Sequence, residues 1–181
     1  MRNKRRGFTL AEVLVTLSII AIMAAVLLPA LNSQIGKGDA GRVASDLTNI
    51  QTGAQAFLSD VHRYPASLSH LTTQINTSQT DLLGNTYPST LVAKWKGPYV
   101  QKDVVSPSGI GTFASNFTTT TGGNSISYLT VQLTNVSLQD FGRIEDLLDE
   151  GNSSSTSSTS GLVRYSSTAN GTLSYLALPI Q

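Results

Sequence analysis

Residues that could do chemistry are sparse in this chain, and the most conspicuous is a carboxylate inside an apolar segment. Glu12 lies in "RRGFTLAEVLVT", four residues past Phe8, and an unbroken run of apolar and small residues follows from Val13 to Leu28. A charge at the centre of a bilayer-spanning helix costs roughly 2.5–3.5 kcal/mol, and less near the interface. An ionisable residue in such a place is by default functional, with a partner to be named. Elsewhere, His62 and His70 are eight positions apart with no third ligand at a metal-site spacing. "DEGNSS", from Asp149, could offer oxygens to calcium, with Asp146, Asp149 and Glu150 clustered there, but without an EF-hand spacing. The serine tracts contain no G-x-S-x-G, and no glycine loop for phosphate is present. Lys94, Lys96 and Lys102 stand near Trp95 and Tyr99, the one candidate patch for DNA. No constellation supports catalysis, so the expectation is a protein that is not an enzyme, with no cofactor and no metal.

The totals narrow the partners. Twelve basic residues face eleven acidic ones in 181 residues, but Arg2, Lys4, Arg5 and Arg6 supply four of the twelve. From Phe8 onward eight bases face eleven acids, a net of −3, which argues against nucleic-acid binding by the bulk of the chain. Charged residues are only 13% of the chain, so the surface is polar but weakly charged. Without cysteine there is no disulfide or thiolate site, and cysteine usage is silent on the compartment.

The element that must position Glu12 is a helix. Phe8 to Leu31 holds a single charge, and 24 helical residues reach about 36 Å, enough to cross a hydrocarbon core of roughly 30 Å with some tilt. The basic cluster ahead of it places the N-terminus in the cytoplasm and the rest on the far side of the membrane. The run is too long for a signal-peptide h-region, and no convincing A-x-A site follows it.

"KRRGFTLAEVLVTLSIIAIMAAVLLPAL" resembles the N-terminus of type IV prepilins and related pseudopilins. The match joins a basic leader, a Gly-Phe junction, a glutamate at fixed offset and an uninterrupted apolar run. The resemblance implies a fold, α+β and type IV pilin-like: a long N-terminal helix, half membrane span and half amphipathic, packed on a small antiparallel β-sheet head. It implies cleavage after Gly7 by the prepilin peptidase and methylation of the new N-terminus on Phe8. It assigns filament assembly to Glu12, with Thr9 and Pro29 in the same segment. Two staggered helices would bring Glu12 of one beside the Phe8 amine of the next. A buried charge is costly alone and tolerable when paired, so Glu12 would act as a register device. The implied partners are copies of the chain or related pilins, the peptidase, an inner-membrane assembly platform and, before assembly, the membrane itself. The implied location is the inner membrane, with one span and a cytoplasmic N-terminus, and then a surface pilus or a periplasmic pseudopilus.

The expected organisation is a leader at 1–7, a membrane or filament-core helix at 8–31, its amphipathic half at 32–62, and a head at 63–181 with a Ser-rich loop at 152–160. Pro29 is expected to kink or locally melt the helix, and "GKGDAG" (36–41) to be a second soft point. Ala40, Val43, Ala44, Leu47, Ile50, Ala54, Phe57, Leu58 and Val61 then recur at steps of three and four and define one buried face. Asp46, Asn49 and Asp60 fall on the polar face. The helix should end before Pro65, and "HRYPASLSHL" reads as a turn leading into a short helix. "YPASLSHL" and "KWKGPYV" resemble stretches of major type II secretion pseudopilins. The Asp-Pro-Trp-Gly of that pattern does not follow; "KDVVSPSG" stands there instead, so the calcium site of those pseudopilins is not carried over. Trp95 and Tyr99 are read as packing residues.

In the C-terminal half, "SISYLTVQLTNV" alternates as a strand with Leu129, Val131 and Leu133 on one face. Ser137 to Asp140 fits a capping box, with a helical stripe of Leu138, Phe141, Ile144, Leu147 and Leu148 ending at Gly151. Asn170-Gly171 signals a hairpin, and the last strand should turn Leu176, Leu178 and Ile180 to one face. The functional expectation is a structural subunit of a type IV pilus or pilus-like filament. The alternative is a type II secretion pseudopilin acting in protein export, and a tip subunit that adheres or takes up DNA is less favoured.

Overall fold

The computed structural model describes residues 7–101, 109–123, 125–149, 160–166 and 170–180. The first helix, α1, runs Leu10–Val61. The chain divides into two compact units, residues 1–37 and 38–181, and each is described by itself.

In the first unit α1 is apolar on all sides and none of it is buried. Ile22, Val26 and Leu27 each expose more than 60% of their surface. The helix contains a stretch long and apolar enough to cross a membrane. The two hydroxyls inside its apolar run are satisfied within the helix: Thr16 Oγ1 donates to the Val13 carbonyl at 2.9 Å and Ser18 Oγ to Leu14 at 2.8 Å. That is what a helix in hydrocarbon requires, since no water is there to satisfy them. The helical assignment continues through Pro29, so the local melting expected there is absent. Gly36–Gly41 is helical too. One proline removes one hydrogen bond, and the surrounding turns hold.

In the second unit α1 carries the buried face that the periodicity predicts. Ala40, Val43, Leu47, Ile50, Ala54, Phe57 and Val61 are fully buried, and Leu58 only in part. Asp46 departs from the expected polar face: it is 9% exposed and pairs with Arg42 one turn earlier at 3.9 Å. The charge is tolerable there because it is paired. The helix ends at Val61, where His62 turns left-handed at φ 60°.

Short helices α2 (Ser69–Thr72) and α3 (Ser89–Val92) punctuate a loop-rich stretch. The sheet follows, with β1 (Thr112–Phe113), β2 (Thr118–Thr121), β3 (Ser127–Ser137), α4 (Leu138–Leu148), β4 (Val163–Tyr165) and β5 (Asn170–Pro179). All pairings are antiparallel, in the order β1-β3-β5-β4, with β2 also on β3. Leu129, Val131 and Leu133 are fully buried, as their alternation predicts. The short β1 and the threonine run of β2 were not expected as strands; β-branched residues suit that role.

Three expectations are corrected. The stripe of α4 is narrower: Phe141 and Ile144 are buried, but Leu138 and Leu147 are more than half exposed. Its cap holds, with Asp140 N donating to Ser137 Oγ at 3.2 Å, and it stops at Leu148, ahead of Gly151, which lies outside the described residues. The β4–β5 hairpin forms, but Asn170 and Gly171 open β5 and pair with Ser137 and Val136. Gly171 is needed for close approach, because a Cβ there would strike the Tyr165 ring and the Ser166 carbonyl. On β5, Leu173, Tyr175, Ala177 and Leu178 join the core, whereas Leu176 is buried on the other face and Ile180 is only half-buried. The cause is a bulge: Leu129 pairs with Leu178 but Thr130 with Leu176, so Ala177 is the extra residue and the alternation breaks there. The Ser-rich loop lies outside the described residues up to residue 159.

Candidate functional site

The N-terminal site begins where α1 begins. Leu10 is the first helical residue, so Thr9 is its cap, and the first intrahelical bond runs from Val13 N to the Thr9 carbonyl at 3.3 Å. Thr9 and Glu12 form a reciprocal capping box. Glu12 N donates to Thr9 Oγ1 at 3.2 Å, while Thr9 N and Thr9 Oγ1 donate to Glu12 Oε2 at 2.8 and 2.9 Å. The carboxylate also faces the positive end of the helix dipole. Both bonds that it accepts go to Oε2, so Oε1 has no hydrogen-bond partner among the described residues. Gly7 and Phe8 precede the cap as exposed, non-helical chain, and Phe8 is 89% exposed. Pro29 lies within α1, twenty-one residues beyond Phe8. The sequence reading took Thr9 and Glu12 only for assembly; the signal for the cap was present, as T-x-x-E ahead of an apolar run.

On the head, "KWKGPY" wraps against α1 residues of the same unit. Tyr99 packs edge-on to Phe57 with centroids 5.7 Å apart, and Trp95 edge-on to Tyr99 at 5.6 Å. Trp95 Nε1 donates to the His70 carbonyl at 2.9 Å. Tyr99 OH donates to Asp60 Oδ2 at 3.0 Å and accepts from Lys96 N at 2.9 Å, and Lys96 Nζ lies 3.4 Å from Asp60. Gly53 lets this strap approach: a Cβ there would collide with the Val100 side chain. The aromatic rings are thus committed to packing and Lys96 to an ion pair. Lys102 and most of "KDVVSPSG" lie outside the described residues.

The histidines are structural. His62 is exposed at the helix end, with Nδ1 3.2 Å from the Asp60 carbonyl. His70 is buried, stacked 6.4 Å from Phe57, with Nδ1 accepting from Ala66 N and lying 3.3 Å from Tyr87 OH. Burial lowers the His70 pKa below its usual value. Asp149 accepts from Leu162 N and Val163 N, both at 3.0 Å, and so ties the end of α4 to β4. Asp146 is exposed and Glu150 lies outside the described residues. Among the described residues no three of His, Cys, Asp and Glu are grouped to hold a metal.

Comparison with known proteins speaks to the first of these sites. A family model described as the prokaryotic N-terminal methylation motif matches residues 2–28. The chain carries that motif. It is similar to type II secretion system core protein G and to type IV pilins. Against type II secretion system core protein G of Klebsiella pneumoniae it is 26% identical over 107 residues, 59% of this chain and 71% of that protein. Against the core protein G of Escherichia coli it is 32% identical over 65 residues, 36% of this chain and 45% of that protein. Against the type IV major alpha-pilin of Moraxella bovis it is 39% identical over 56 residues, 31% of this chain and 35% of that pilin. The chain thus spans less than half the length of the latter two. No solved structure matches it significantly.

Proposed function

We propose that this chain is a structural subunit of a type IV pilus or pilus-like filament, held in the inner membrane with its N-terminus in the cytoplasm until it assembles. The observation that carries the reading is the methylation motif at residues 2–28 on a helix whose apolar side chains are exposed from Phe8 to Ile35. Outside lipid such a surface must be covered, and identical helices side by side cover it. In this reading the peptidase removes the leader 1–7 after Gly7 and methylates Phe8. The exposed, non-helical Gly7–Phe8 link suits a protease, and cleavage leaves one residue ahead of the Thr9 cap. Glu12 then has a division of labour. Oε2 holds its own helix start, and Oε1 receives the Phe8 amine of a neighbouring copy. An assembly platform extracts the subunit, and the chain itself catalyses nothing.

A second reading, a pseudopilin of protein export, is favoured by the 107-residue likeness to core protein G of Klebsiella pneumoniae, which covers more of the chain than α1 alone. Mass spectrometry of filaments sheared from the cell surface, against the membrane fraction, separates the two. Abundance in the sheared filaments supports a pilus subunit. Processed chain confined to the membrane fraction supports the pseudopilin.

A further inference from the structure

The outer face of the sheet, away from α1, holds a cationic side chain that the filament reading does not use. On β4, Val163 and Tyr165 enter the core and Arg164 between them faces the other way, beside Ser174 of β5. Leu176 is buried on that same outer face. Arg164 is 7% exposed, yet no carboxylate among the described residues forms an ion pair with it. Its guanidinium has five N–H donors. Nη1 donates to the Thr121 carbonyl at 2.9 Å, and Nε more weakly to Gly161 at 3.4 Å. The remaining donors meet no acceptor among the described residues. Nη2 is nevertheless not sealed in, because the one sealed side-chain polar atom without a partner among the described residues is Thr118 Oγ1. Nη2 therefore opens onto accessible space. That space is a cavity of about 290 Å³ bounded by Arg164, Tyr128, Leu176, Leu162, Gly122 and Gly123.

We infer that this cavity is a binding site for a carboxylate group, held by the Arg164 guanidinium against the apolar wall of Leu176 and Leu162. A buried charge met only by carbonyl dipoles is incompletely compensated, and a guanidinium fork matches a carboxylate in geometry. One cation in the cavity suits a monoanion; a phosphate dianion would carry a surplus charge into it. The volume suits a group of a few heavy atoms, at the small end of ligand pockets. The carboxylate has two sources: a free short-chain acid, or an Asp or Glu side chain of a second copy. The second source is plentiful, since the chain from Phe8 carries eleven acids against eight bases.

The test uses the full chain in detergent micelles, following the Arg164 Nε–Hε NMR signal, which Arg164→Lys identifies by its loss. Sodium propionate is titrated at constant ionic strength against chloride, with neutral propionamide as the isostere. The expected result is a saturable shift with propionate and none with propionamide. Leu162→Trp, a change at an exposed rim position, should weaken the response about ten-fold by filling the mouth. If a second copy supplies the group, the signal moves with protein concentration before any propionate is added, and propionate reverses the movement. The inference is overturned if the signal is indifferent to protein concentration and to propionate up to about 100 mM, a level that would register even roughly −1.4 kcal/mol of association. An equal response to propionamide overturns it too. None of these results depends on whether the chain forms filaments.

Discussion

Replacing Phe57 with alanine tests how the head is built onto the second half of α1. Phe57 is fully buried, and its ring meets His70, Tyr87 and Tyr99 at centroid distances of 6.4, 6.3 and 5.7 Å. Truncating a buried phenylalanine costs about 3–5 kcal/mol, part in lost transfer energy and part in the cavity left behind. The cavity should collapse little, because the neighbouring rings are fixed by hydrogen bonds: Tyr99 to Asp60, and Trp95, edge-on to Tyr99, to the His70 carbonyl. The upper part of the range is therefore expected, about 4 kcal/mol. With a urea dependence of about 2 kcal/mol/M for a head of this size, the unfolding midpoint should fall by about 2 M. Trp95 is the sole tryptophan, so intrinsic fluorescence of the full chain in micelles reports this cluster directly. Phe57→Leu refills most of the volume and should recover at least half of the loss. A fall of under about 0.5 M for Phe57→Ala, at that same dependence, would show that the ring cluster is not what joins head to helix.

Asp81 accepts from Leu83 N, from Asn85 N and from Arg63 Nη1, and is 3% exposed. Asp81→Ala should cost about 2–3 kcal/mol by urea unfolding, less than a fully buried pair because Arg63 is partly exposed. His70 has a folded pKa below its unfolded value, so the unfolded chain takes up the proton first. Stability should then fall as pH drops below the unfolded value, and His70→Gln should flatten that fall in midpoints measured from pH 7 downward. Glu145 has the opposite sign: burial and its neighbours Asp149 and Asp146 raise its pKa. Glu145→Gln should raise the midpoint at pH 7 and lose that advantage as pH falls through the raised value. Glutamine can keep the box with Thr9, so Glu12→Gln removes the charge alone and should abolish filament recovery. Thr9→Ala should cost about 1 kcal/mol of helix-start stability and reduce recovery without abolishing it.

The spine was legible because a period of 3.6 and an uninterrupted apolar run are strong signals. The buried face from Ala40 to Val61 and the strand through Leu129, Val131 and Leu133 could be read from pattern alone. What escaped depends on tertiary partners. Asp46 is polar, so pattern sends it outward; its pairing with Arg42 lets it sit inside. Leu138 and Leu147 are apolar at helical spacing, but α4 buries only a narrow stripe. The bulge at Ala177 breaks the alternation of the last strand, and nothing local announces it. At the N-terminal site the types and spacing of Gly7, Phe8 and Glu12 were plain. The reciprocal bonds between Thr9 and Glu12 were equally available and were overlooked, because the carboxylate already had a role.

The most direct test of the filament account is the N-terminal peptide of the chain, recovered from cells with and without the prepilin peptidase. The account predicts a peptide beginning at methylated Phe8 when the peptidase is present, and one still carrying MRNKRRG when it is absent. An uncut N-terminus in both would contradict it.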